Sequence, residues 1–132
     1  MKDTYLLGID YLIDKIKGKY KTSIICQLGK KSQHFGELYR NVNIENHDQI
    51  TKKVLSYQLK ALIKAGIVER QVIDNMPPQT LYSLTRIGQY IRELMVKLSL
   101  DGEKLVKDNH ANVTIEHSYG CIHGFNHQRN VK

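Results

Sequence analysis

Between Thr51 and Gly66 the chain reads TKKVLSYQLKALIKAG, and its polar side chains fall at spacings suited to a polyanion. At about 3.6 residues per helical turn, Lys53, Ser56, Tyr57, Lys60 and Lys64 share one side, with Lys52 beside them. Ammonium groups on such a face neutralise phosphates. The hydroxyls of Ser56 and Tyr57 and the amide of Gln58 can reach phosphates or base edges. Val54, Leu55, Leu59, Leu62 and Ile63 occupy the other side and supply an apolar back. Taken alone, this is also the pattern of a solvated amphipathic helix. The neighbouring segments decide between the two.

The other reactive side chains are sparser. Cys26 lies among Ile24, Ile25 and Leu28 and reads as a small buried hydrophobe, whereas Cys121 sits in a polar segment and is the better target for oxidation. Two cysteines make no disulfide framework, and in a reducing compartment both are thiols. Of six histidines, His110, His117, His123 and His127 crowd the carboxy-terminal segment, and with Cys121 the last three spell H-x3-C-x-H-x3-H. These ligand types suit zinc or nickel, but the spacing matches no standard finger, so no metal site is assigned. Carboxylates are scattered, with no glycine-rich phosphate loop and no local Ser, His and Asp motif. No catalytic residue, no cofactor and no enzymatic activity are therefore expected.

The whole chain fits a polyanion-binding role. Its 132 residues suit one domain with a real core, and 41% hydrophobic with 25% charged residues is ordinary for a soluble globular protein. Lys+Arg 20 against Asp+Glu 13 leaves a formal charge of +7 and a pI near 9.4, which favours nucleic acid before membrane. No apolar run approaches a membrane span and the amino terminus lacks a signal-peptide core, so a cytoplasmic protein without a membrane partner is expected.

The elements that must position the lysine face follow from periodicity. Residues 4–16 predict a first helix whose Leu6, Leu7, Ile9, Leu12, Ile13 and Ile16 are too numerous for one narrow stripe. Such a helix packs on its own domain and on a second body, in small domains often a second copy. Gly18 breaks it, and helical spacing resumes from Lys19 to Leu28. Gly29 to Gln33 reads as a polar turn, and His34 to Leu38 opens a short third helix with Phe35 and Leu38 in the core. The asparagine-rich stretch Asn41 to Gln49 reads as a loop delivering the chain to Thr51, an N-cap. A short helix, a loop and a basic helix make a helix-turn-helix, here with a longer loop than the simplest versions.

After Gly66 the period changes. Val68, Arg70, Val72 and Ile73 read as a strand and Thr80 to Leu84 as its partner, with Asp74 to Gln79 as a two-proline hairpin tip. This hairpin is a wing, from which Arg70 and Gln79 can reach a backbone or a minor groove. Thr85 caps a final helix with an apolar stripe of Ile87, Ile91, Leu94 and Leu98, widened by Met95. It runs to about Val106, with Asp101-Gly102 as a point of interruption. The fold expected is mainly α with a small β-hairpin, a winged helix-turn-helix dimerising through its first and last helices. The competing reading spends both stripes on the domain's own core. Residues 1–107 form the DNA-binding domain with its dimerisation helices. Residues 108–132 form a polar, His-rich, loosely ordered tail with at most a short strand at Asn112 to Ile115.

From about Leu7 to Leu100 the chain resembles the HxlR-type winged-helix transcription regulators. Gly18-Lys19-Tyr20-Lys21 is similar to that family's Gly-Lys-Trp-Lys, and His34-Phe35-Gly36-Glu37-Leu38 to its Arg-Phe-Asn-Glu-Leu. Ile50 to Lys60 looks like its Ile-Ser-x-x-x-Leu-x-x-x-Leu-Arg recognition helix. The densest likeness runs from Gly66-Ile67-Val68-Glu69-Arg70 through Pro77-Pro78 to Tyr82-Ser83-Leu84-Thr85 and Gly88. The resemblance implies a homodimer that binds an inverted-repeat operator, with the recognition helix in the major groove and the wing on the adjacent backbone. Two departures stand out. Gln79 follows the prolines where the family often has Arg, removing one charge-assisted phosphate contact. Leu7-Gly8-Ile9 carries no cysteine where many members hold a sensing thiol.

The function expected is a sequence-specific DNA-binding transcriptional regulator, with helix 51–65 in the major groove and wing 74–80 on the backbone. Its contacts to double-stranded DNA are Lys52, Lys53, Ser56, Tyr57, Lys60, Arg70 and Gln79. The alternative is a winged-helix protein-interaction module without specific DNA binding. That surface would carry apolar residues in place of the lysines.

Overall fold

The computed structural model of the protein describes residues 2–47, 49–73, 76–109 and 112–116. Its elements are α1 (Gly8–Ile16), α2 (Lys21–Lys30), β1 (Gln33–His34), α3 (Phe35–Glu45), α4 (Lys52–Lys64), β2 (Val68–Ile73), β3 (Gln79–Leu84) and α5 (Arg86–Asp108). The fold is mainly helical with a small antiparallel sheet. One core holds Ile24, Ile25 and Leu28 of α2, Leu38 and Val42 of α3, Leu55, Leu59 and Leu62 of α4, and Ile91 and Met95 of α5.

Most elements start and stop where local chemistry dictates. Gly18 adopts φ +116 between α1 and α2, a conformation that L side chains rarely take. Thr51 Oγ1 accepts from Val54 N at 3.1 Å and caps α4. At its other end Gly66 takes φ +78, its N–H bonds Ile63 O, and the Ile67 N–H reaches back to Leu62 O, both at 3.0 Å. This is the Schellman arrangement. Thr85 Oγ1 accepts from Gly88 N at 2.9 Å and donates to Gly66 O at 2.6 Å, so one hydroxyl starts α5 and fastens the end of α4.

Several boundaries differ from the sequence reading. Helix α1 begins at Gly8, not residue 4, because Asp10 Oδ2 accepts from Leu7 N at 3.0 Å and closes the first turn there. Helix α2 spans Lys21–Lys30 and so absorbs Gly29, expected in a turn. Gln33 and His34 form a third strand beyond the expected hairpin, giving sheet order β1-β3-β2 with Gln33 opposite Tyr82. The Gln33 side chain is buried, its Nε2 donating to Gln27 O at 2.8 Å and its Oε1 accepting from Asn41 Nδ2 at 3.0 Å. A polar residue with both ends satisfied can sit in a core.

The asparagine-rich segment is not a loop from Asn41 onward, because α3 continues to Glu45. Buried Val42 and Asn43 hold it against the core, and the Glu45 carboxylate accepts from Ser23 Oγ and Gln27 Nε2 of α2, each at 2.7 Å. These tertiary bonds outweigh the weak helix propensity of asparagine. Helix α5 passes Asp101-Gly102 without a break, supported on its exposed side by the Lys97–Asp101 and Lys104–Asp108 pairs four residues apart.

The outer helices keep apolar surface exposed. No residue of α1 is buried, and Leu7, Ile9, Tyr11 and Ile13 face outward. On α5, Ile91 and Met95 enter the core while Ile87, Tyr90, Leu98 and Leu105 stay exposed. Residues 112–116 carry no strand. Among the described residues, no helix is long and apolar enough to cross a membrane.

Candidate nucleic-acid interface

The sidedness of α4 is sharp. Leu55, Leu59 and Leu62 are at most 2% exposed, whereas Lys53, Lys60 and Lys64 are exposed on the opposite side, Lys52 is exposed on the flank and Tyr57 is 71% exposed. Ser56 is half-buried beside them. The helix contains no Asp or Glu, and its first turn carries Lys52 and Lys53 where the macrodipole is already positive. Lys52 Nζ lies 5.6 Å from the centre of the Tyr39 ring, which leans that lysine toward α3. Gln58 differs from the sequence reading: it sits on the flank, three residues after Leu55, and its Oε1 is shielded from solvent. That oxygen is not presented to a base edge.

The wing projects beyond the core. Past Val68 the strand β2 is exposed through Val72, and Met76, Pro77 and Pro78 at the tip are exposed. Gln79 belongs to β3, opposite Ile73, and not to the tip. Arg70 is opposite Tyr82. Residues directly opposite share a face and faces alternate along a strand, so Arg70 and Gln79 lie on opposite faces of the hairpin. Both are exposed, but they do not form one patch.

One basic residue outside the expected contacts lies close to the entry of α4. The Tyr20 hydroxyl donates to Gln49 O at 3.1 Å, and Lys19 Nζ lies 5.4 Å from the Tyr20 ring. Lys19 is therefore held beside the segment that enters α4. The signal was present in the Gly18-Lys19-Tyr20-Lys21 motif, read only as a likeness. Lys15 and Lys17, which precede it, lie 3.8 and 3.6 Å from the Asp14 carboxylate.

Burial pushes the Cys26 thiol up to about 12, against a smaller opposing pull from Arg92, so it is held as a neutral thiol. Cys121 and the carboxy-terminal histidines His110, His117, His123 and His127 lie outside the described residues. Among the described residues no group of His, Cys, Asp and Glu could hold a metal ion.

Comparison with known proteins matches this architecture. A family model described as HxlR-like helix-turn-helix covers residues 15–110. The regulatory protein MalR of Fusobacterium mortiferum is 34% identical over 95 residues, spanning 71% of this chain and 85% of that one. An HTH-type transcriptional regulator of Methanothermobacter thermautotrophicus is 29% identical over 89 residues, or 67% of this chain and 64% of the relative's length. The crystal structure of a MarR-family transcriptional regulator from Enterococcus faecalis V583 superimposes with a TM-score of 0.72 at 28% identity, covering 83% of this chain and 96% of that one.

Proposed function

The chain belongs to the HxlR-like helix-turn-helix family, and from that premise we propose that it regulates transcription by binding double-stranded DNA through α4. The observation that carries this reading is the two-sidedness of that helix: three leucines locked in the core orient a face of lysine and tyrosine outward. Lys52, Lys53 and Lys60 serve phosphates, and Ser56 and Tyr57 serve phosphates or base edges in the major groove. Lys19 adds a backbone contact beside the entry to α4, and the wing, through Arg70 or Gln79, reaches the adjacent backbone.

The protein acts as a homodimer on an inverted-repeat operator in the cytoplasm. Exposed apolar side chains on both α1 and α5, including Ile9, Ile13, Ile87 and Leu98, support this assembly, because a second copy would remove them from water. Two-fold pairing of the chains sets two recognition helices against two half-sites.

The test is fluorescence anisotropy with DNA from just upstream of the protein's own gene and a scrambled fragment of equal length, across a salt series. Tighter binding to the native fragment, with two chains per site, is expected. No binding to either fragment at low salt would overturn the proposal.

A further inference from the structure

Helix α2 sends Ile24, Ile25 and Leu28 into the core, yet it also carries Ser23 and Gln27 one turn apart, and Gln27 is only 5% exposed. Burying an amide costs free energy unless its groups find partners. Gln27 Nε2 donates to Glu45 Oε2 of α3 at 2.7 Å, and Ser23 Oγ donates to Glu45 Oε1 at the same distance. Asn46 Nδ2, in the turn that leaves α3, donates to Ser23 Oγ at 3.1 Å. The end of α3 is thereby pinned to α2 a few residues before the chain enters α4.

Gln27 is bonded to the sheet as well. The last four carbonyls of a helix have no partner within it, and Gln27 O is one of these in α2. Gln33 Nε2 of β1 supplies the missing donor at 2.8 Å, and Gln33 is 1% exposed. Gln33 pairs with Tyr82 of β3, and Tyr82 pairs in turn with Arg70 of β2, so the three form one row across the sheet. Gln27 therefore joins the row that carries Arg70 to the segment that delivers α4. The Gly66 connection fixes the hairpin to the far end of α4, and held there alone it would be free to pivot. The bonds of Gln27 make a second attachment, at the entry end, and a polar network with its members paired holds one geometry.

We propose that Gln27 is a positioning residue for DNA recognition. It holds Arg70 of the wing at a fixed spacing from the lysine face of α4, so that both reach one duplex. This role rests on the DNA-binding function proposed above.

The test is a double-substitution cycle in the full chain, read by fluorescence anisotropy with the upstream fragment across a salt series. Gln27→Met keeps the length of the side chain and the carbonyl bond to Gln33 while removing the donor to Glu45. Gln27 is buried and uncharged, so a merely structural role leaves the salt dependence alone. As a positioning residue, its loss should weaken binding by about fivefold and lower the slope of log K against log salt by about 0.9, the value of one phosphate contact. Arg70→Gln should do the same in the parent and add no more than about twofold in the Gln27→Met background. Lys60→Ala should keep its full effect in both backgrounds. Ile24→Val, a core change in the same helix, controls for lost stability and should leave the slope unchanged. Should Gln27→Met fail to fold, Gln33→Met breaks the sheet side of the same path and carries the same expectations. An unchanged slope, additive effects of the two substitutions, or an Arg70→Gln chain that binds like the parent overturns the inference and leaves the DNA-binding function standing. A parent that binds neither the upstream nor the scrambled fragment removes that function and this inference with it.

Discussion

The backbone N–H of Ile50 donates to the side-chain oxygen of Asn43 at 3.0 Å, and both residues are buried. Through this bond the last turn of α3 fixes where the chain turns into Thr51 and α4. Asn43→Leu removes the acceptor and leaves a buried N–H unsatisfied, a cost of about 1–3 kcal/mol. Urea denaturation should show that loss with little change in m. Weaker DNA binding should accompany it, because the bond orients the entry to α4.

Two glycines of α5 should respond in opposite directions to alanine. A Cβ on Gly88 would overlap the Ile67 carbonyl oxygen, a backbone atom that cannot swing aside, whereas a Cβ on Gly102 meets nothing within 4 Å. Gly88→Ala is expected to destabilise by about 1–3 kcal/mol through overpacking. Gly102→Ala should stabilise by about 0.5–1 kcal/mol through helix propensity. Thermal melts of the two variants against the parent decide it, and a shift of the same sign in both would be inconsistent with this packing.

Lysines on the outer face of α4 should alter binding without altering folding. Lys53 and Lys60 are exposed, so Lys53→Ala and Lys60→Ala should change stability by no more than about 0.5 kcal/mol. Each lost phosphate contact lowers the slope of log K against log salt by about 0.9. Anisotropy titrations across a salt series should show weaker binding and a flatter slope in each variant. An unchanged slope in both would place the contact surface elsewhere.

How much of this was legible in the sequence depended on the range of the interactions involved. Helix α4 was readable because its signals are local: leucines at helical spacing, Thr51 as cap and Gly66 as stop. The wing was readable because two prolines bound its tip. Strand β1 was not, since two residues carry no alternation and Gln33 is polar. Its burial depends on Gln27 and Asn41. The length of α3 was hidden because Glu45 is anchored by α2 residues distant in sequence. The separation of Arg70 and Gln79 onto opposite faces required the strand register. The seat of Arg92 on Gly29 joins residues far apart in the chain, and nothing local in either segment announces it.

The thiol of Cys26 should be inert while the protein is folded. Its pKa is raised from 9.0 to about 12, first through burial, which lowers its thiolate population at neutral pH roughly a thousandfold. In a Cys121→Ser background, alkylation by iodoacetamide at pH 8 should be slow in buffer and fast in denaturant. The same shift links stability to alkaline pH. Above pH 9 the unfolded thiol ionises while the folded one keeps its proton, so the unfolded state binds fewer protons and stability falls as pH rises toward 12. A Cys26→Ala variant should lose this component of the alkaline decline. Rapid native labelling at pH 8 would show instead that the helix opens locally at this position.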